Sequence, residues 1–180
     1  MEDSRAAGSA VTPGDGIRSA LADAAGRLAA AGARDEALAE FVPERRVMLL
    51  TRKAAMVPLG RVWRLGVLLL DADGRLYATG HITRALEPGR RAYQAQSAEL
   101  RREFRGAAFR GPFARGETVN FDAVPIELDE AALRDSSGPL VLRGDEAMVR
   151  WDPSSPDALT RLPEYLADRV RLLVDPPEGA

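Results

Sequence analysis

Apolar positions recur along this chain in two rhythms, and the switch between them divides it into helices and strands. After Asp15, the residues Ile17, Leu21, Ala24, Leu28 and Ala31 return every three or four positions, the spacing of one helix face. Asp15 is placed to cap that helix and Gly32 to end it. A second short helix is expected over 35–41, stopped by Pro43, which would make an N-terminal helical hairpin. Residues 45–51 read as a strand. Residues 61–70 and 75–86 then read as a β-hairpin around Asp71-Ala72-Asp73-Gly74, with Gly74 supplying the turn's positive φ.

Beyond Glu87-Pro88-Gly89, a charged helix is predicted over 93–104, followed by a glycine-rich loop. Strand character returns over 118–128, but with a slip in its rhythm. Val119 and Phe121 are odd-numbered, whereas Val124, Ile126 and Leu128 are even, so a bulge or kink is expected near Asp122-Ala123. A short helix at 129–134 and strands at 140–143 and 147–151 follow. A last helix is expected to open at Ser155-Pro156-Asp157 and to be bent or divided at Pro163, burying Tyr165, Leu166, Val170, Leu173 and Val174. Together these give an α+β fold, a largely antiparallel sheet with the N-terminal helical hairpin and the C-terminal helix packed on it. The domain would span 14–175, between a disordered lead at 1–13 and a disordered tail at 176–180.

Composition narrows the chemistry. The chain has 180 residues with one histidine, His81, one lysine, Lys53, and no cysteine. Thiol nucleophiles and thiolate metal sites are therefore excluded. No stretch approaches the roughly 20 apolar residues of a membrane span, and the acidic opening Met1–Arg5 lacks a signal-peptide apolar run, so a cytoplasmic location is expected. Residues 1–115 hold 19 basic and 13 acidic side chains, and residues 116–180 hold 6 and 14. The two halves thus carry opposite net charge, as one fold with mutually attracting parts would.

Few motifs survive inspection. Asp71-Ala72-Asp73-Gly74 starts like a calcium loop, but position twelve is Ile82 rather than glutamate, so no metal site or cofactor is expected. Eight arginines between 84 and 115 stand against three glutamates, with Tyr93, Phe104, Phe109 and Phe113 among them. A net charge of −2 and the absence of any nucleic-acid motif argue against nucleic acid as the partner. The cluster of most interest is the run 115–122. There Glu117, Asn120 and Asp122 stand where a glycine-rich loop becomes a strand, beside the expected kink. With Arg115, His81, Arg84 and Tyr93 these make up the candidate pocket. Trp63 and Trp151 could serve either as core anchors or at an interface.

Two runs carry a resemblance: Gly60-Arg61-Val62-Trp63-Arg64-Leu65-Gly66-Val67 and Arg115-Gly116-Glu117-Thr118-Val119-Asn120-Phe121-Asp122. On them, the stretch 45–129 resembles a group of short bacterial proteins commonly labelled glutaminase. The resemblance implies an amidohydrolase acting on glutamine, but it brings no catalytic residue with it. Leu50 precedes Lys53 where a Ser-x-x-Lys pair would have serine, and no cysteine is present for an amidotransferase. A shorter region, Leu68–Gly74 with Ala98-Glu99-Leu100-Arg101-Arg102-Glu103, is similar to Nudix hydrolases. Arg102 stands there where that pattern places a metal-binding glutamate.

The leading expectation is a binding or interaction module without a recognisable catalytic centre. A small anionic ligand or a protein partner would meet the arginine-bearing helix, at Arg101 and Arg102, and the 115–122 loop, at Arg115 and Asn120, with Arg84 and Tyr93 nearby. The alternative is an amidohydrolase with His81, Glu117 or Asp122 as the base that activates water.

Overall fold

The computed structural model describes residues 12–47, 50–89, 96–155 and 157–176. Most of the expected lead and the end of the expected tail, together with Met48, Leu49, Tyr93 and Pro156, lie outside the described residues. Helix α1 spans Pro13–Ala30. Its cap is Thr12 rather than Asp15: the Thr12 Oγ1 accepts from the Asp15 N–H at 3.2 Å, and Pro13 fills the first turn, where no N–H is required. Ile17, Leu21, Ala24, Ala25 and Leu28 form its buried face.

The helical hairpin is not formed. Residues expected to be its second helix are strand β1 (Glu36–Val42), which lies between two other strands. Ala37, Leu38 and Ala39 are buried in succession, a pattern of burial on both faces that overrides the helical preference of this alanine- and glutamate-rich run. The single strand expected at 45–51 is instead a pair, β2 (Arg45–Val47) and β3 (Leu50–Arg52).

The expected strand 61–70 also divides, into β4 (Ala55–Leu65) and β5 (Leu68–Leu70). Leu65 faces Leu68 across a two-residue turn, with Gly66 at φ 65°. The Tyr165 hydroxyl fastens this turn by donating to the Leu65 carbonyl at 2.8 Å and accepting from the Val67 N–H at 3.1 Å. A Cβ on Gly66 would come within 2.4 Å of that hydroxyl, so glycine is required here both by φ and by space. The Asp71–Gly74 turn occurs as expected, with Asp71 Oδ1 accepting from the N–H groups of Asp73 and Arg75. It joins β5 to β6 (Leu76–Ala78), and β7 (His81–Arg84) follows.

Helix α2 (Gln96–Arg110), β8 (Thr118–Phe121), β9 (Val124–Pro125) and α3 (Glu130–Arg134) come next. The break expected near Asp122 is present: Asp122 has φ 54°, the sole non-glycine positive φ among the described residues. The chain ends with β10 (Leu140–Arg143), β11 (Glu146–Arg150), β12 (Leu159–Arg161) and α4 (Leu162–Val174). The last helix opens at Leu162 rather than at Ser155. Pro163 therefore lies in its first turn and causes no interior bend. Val174, expected to be buried, is exposed, whereas Tyr165, Leu166 and Val170 are buried.

The main sheet runs β7-β8-β1-β4-β5-β6-β9, with β1 and β8 parallel and the other pairs antiparallel. The pairings β6–β9 and β7–β8 keep one register. Each step forward from Tyr77 to Arg84 is matched by a step back from Pro125 to Thr118. The two segments therefore act as one bent pair of strands, and the sheet closes on itself into a small barrel. Its bend is tight, since a Cβ on Gly80 would meet the Asp122 carbonyl oxygen at 2.2 Å.

Leu38, Val62 and Leu69 fill the barrel interior, with Tyr77 and Ala123 against them. Trp63, Leu65, Leu68, Leu70 and Leu76 face the other way, onto α1, α4 and the second sheet, β10-β11-β12. Each fully buried leucine here contributes about 2 kcal/mol of apolar transfer before entropy is charged against it. Trp63 is a core residue whose indole N–H donates to the Ala33 carbonyl at 3.0 Å, while Trp151 is half exposed.

Candidate functional site

Helix α2 lies across β1, β4 and β8 through small side chains. Ala107 and Ala108 are fully buried against Ala37, Ala39, Val119 and Phe121. Phe104, partly buried, adds aromatic contacts, with ring centroids 4.7 Å from Phe121 and 5.0 Å from Phe41. The His81 ring joins this group, 5.9 Å from Phe104 and 5.4 Å from Phe121. Its environment is aromatic packing, with no carboxylate bonded to it among the described residues.

Past Phe104 the surface opens into a cleft of about 410 Å3 between α2 and the β7–β8 pair. Arg84 comes from β7, and Arg101 and Arg105 from α2, spaced i and i+4 so that both fall on one helix face. Like charges at that spacing disfavour an isolated helix by a few tenths of a kcal/mol. Among the described residues, none of the three lies within salt-bridge distance of a carboxylate. Arg101 spends its Nε–H on the Ser97 carbonyl at 3.2 Å, which leaves its terminal nitrogens uncommitted among the described residues. Thr83 and Thr118 add hydroxyls to the walls, and Phe104, Leu86 and Ile82 add apolar surface.

Glu36 is the one carboxylate lining the cleft among the described residues. Its Oε2 accepts from the Asn120 Nδ2–H at 2.8 Å, and the same amide group donates to the Ala37 carbonyl at 3.3 Å. Asn120 is 1% exposed, and its Oδ1 has no partner among the described residues. This amide orients Glu36 from beneath and does not line the cleft.

Glu36 and Thr118 also border a second depression of about 330 Å3, built around Arg61. The Arg61 guanidinium donates to Asp35 Oδ1 at 2.6 Å and to Glu117 Oε1. Glu117 Oε2 accepts from the Ala114 N–H at 2.8 Å. The hydrogen bonds from Arg61 to Asp35 and Glu117 push its pKa further up, and the bond from Arg61 is the main reason the Glu117 carboxyl lies below the ordinary glutamate value.

The residues singled out in the sequence are thus distributed over several places. Arg84 and Arg101 meet in the first cleft, Asn120 supports Glu36 beneath it, and Arg115 and Glu117 border the second depression. Asp122 is at the other end of β8 from Glu117, about 16 Å away at the usual rise of a strand. His81 pairs with Phe121 near that far end, so His81, Glu117 and Asp122 do not converge. Arg102 is directed to another side of α2, donating to Glu99 at 3.4 Å beside Lys53. Arg105, Glu36, Asp35 and Arg61 are not among the site residues expected from the sequence. The spacing of Arg105 from Arg101 was a usable signal, whereas nothing local ties Arg61 to Glu117.

Among the described residues, no group of three or more His, Asp or Glu is placed to hold a metal ion, and no helix is long and apolar enough to cross a membrane. Comparison with family models, with curated proteins and with solved structures finds no match.

Proposed function

We propose that this protein is a binding module for a small anionic ligand, taken up in the cleft between α2 and the β7–β8 strands. One observation carries the reading. Arg84, Arg101 and Arg105 converge from two elements on one concavity, with no carboxylate paired to any of them among the described residues. Guanidinium forks grouped in this way repel one another until an anion arrives, and each can then form two parallel charge-assisted bonds to it. The closed barrel and the α2 packing hold the two arginine-bearing elements in fixed relation, so little ordering is needed on binding. The proposal sets the module in the cytoplasm and assigns it no catalytic step. The amidohydrolase alternative gains no support from the geometry, because its candidate bases are dispersed and Glu117 is held by Arg61.

The test is thermal stability of the purified protein with inorganic phosphate, sulfate and acetate at matched ionic strength. A ligand present at 100 times its Kd stabilises the folded state by about 2.7 kcal/mol. A rise in Tm that is lost in Arg84→Ala and Arg105→Ala supports the reading. A rise that persists in both variants, or none with any anion, contradicts it.

A further inference from the structure

We infer that the anion taken by this cleft is a phosphoryl dianion on an apolar or aromatic body, a phosphomonoester; the inference rests on the anion-binding reading above. The charge count is the first argument. Among the described residues, three guanidiniums and one carboxylate line the cleft, an excess of two positive charges. A phosphomonoester carries close to two negative charges at neutral pH and three acceptor oxygens, whereas a carboxylate carries one charge and is satisfied by a single bidentate arginine.

The donor arrangement agrees. Arg84 approaches from β7, and Arg101 and Arg105 approach from successive turns of α2, so the donors reach the cleft from two sides. Such a disposition suits a tetrahedral group better than a planar one. The Thr83 and Thr118 hydroxyls border the same space and can donate to a remaining oxygen.

The body of the ligand is read from the floor. Phe104, Leu86 and Ile82 line the cleft, and Ile82 is 51% exposed although it sits in a paired strand. Apolar surface left open beside a cationic group matches a ligand whose charged end is joined to a hydrophobic one. Glu36, held in place by the buried Asn120, sits at the border with the second depression and disfavours further negative charge there. One phosphoryl group is therefore favoured over a polyphosphate chain.

Isothermal titration with phenyl phosphate, phenyl sulfate, benzoate and inorganic phosphate separates these claims. Phenyl sulfate keeps the tetrahedral shape with one charge fewer, and benzoate keeps the ring and the single charge. The expected result is phenyl phosphate binding about tenfold or more tighter than each of the other three. Arg84→Ala and Arg105→Ala should abolish that preference, and Arg102→Ala should retain it. Equal affinities for phenyl phosphate, phenyl sulfate and benzoate would overturn the phosphoryl assignment while leaving anion binding intact. Inorganic phosphate binding as tightly as phenyl phosphate would overturn the apolar half. No binding by any of the four would overturn the inference together with the anion-binding reading itself.

Discussion

Two arginine clusters lie side by side on this molecule, sharing Glu36 and Thr118 as a common border, and they are built on opposite principles. Around Arg61 the central charge is matched: its guanidinium holds Asp35 before β1 and Glu117 before β8, and Glu117 also accepts a backbone N–H. Around Arg84, Arg101 and Arg105 they are not matched among the described residues. The first cluster ties together the starts of two parallel neighbours, β1 and β8, and is architecture. The second leaves like charges facing one cavity, an arrangement that costs the folded protein something unless a ligand occupies it. An arginine count along the sequence does not distinguish these cases; the pairing of each guanidinium does.

The largest effect should come from loosening the packing of α2 on β8. Phe121 is fully buried in β8, the strand that also carries Thr118 and Asn120, and its ring packs against Phe104 of α2. Phe121→Ala should cost about 3–5 kcal/mol, with Tm falling by roughly 10 °C in calorimetry, and should weaken phosphate binding as well. A variant that loses neither would show that the clusters do not depend on this packing.

Next in size is the separation of binding from stability. Arg84→Ala removes charge-assisted bonds of about 1.5–3 kcal/mol to the anion, which weakens binding roughly tenfold to a hundredfold with Tm of the free protein unchanged or slightly raised. Calorimetric Kd values measured beside Tm would reveal the opposite pattern if Arg84 were structural.

Smaller still is the matched cluster's contribution. Arg61 is half exposed, so its pair with Glu117 is worth about 1 kcal/mol or less. The folded-state pKa of Glu117 is depressed below its ordinary value of 4.5. Its stabilisation is therefore fully present above that value and is lost as pH falls through the lowered one. Denaturant titrations between pH 6 and pH 3 should show wild type losing slightly more stability than Glu117→Gln. The same slope in both proteins would mean that the Arg61 bond adds nothing. Arg102→Ala, on a different side of α2, should change the anion Kd by less than about twofold in the same titration. A larger loss would extend the cleft beyond the residues named.

Much of the fold was legible in the sequence, and the misses have common causes. The helix from 13 to 30, the Asp71–Gly74 turn, and the break at Asp122 were readable from period and turn chemistry, all local signals. Glu36–Val42 was misread because its helical preference is overridden by burial between β4 and β8, and neither partner is near it in sequence. The run Arg61–Leu70 hid a turn because Gly66 is a lone glycine among apolar residues, and the Tyr165 hydroxyl that fastens the turn at Val67 is 98 residues from it. Pro163 was mistaken for an interior kink because β12 takes up the residues before it.

The candidate site shows the same limit. Arg84 and Arg101 line one cleft, whereas Arg102, expected beside Arg101, lies elsewhere because adjacent helix residues face about 100° apart. Arg105, one turn on, is the true companion of Arg101. Glu117 and Asn120 are bonded to Arg61 and Glu36, which no local pattern connects to them.

The most direct measurement follows the arginine Nε–H signals by nuclear magnetic resonance while inorganic phosphate is titrated into the protein. The account predicts saturable shifts at Arg84, Arg101 and Arg105, with Arg61 unmoved because its guanidinium is already held by Asp35 and Glu117. Shifts at Arg61 of equal size, or no saturable shift at the other three, would contradict the division of the two clusters into architecture and binding site.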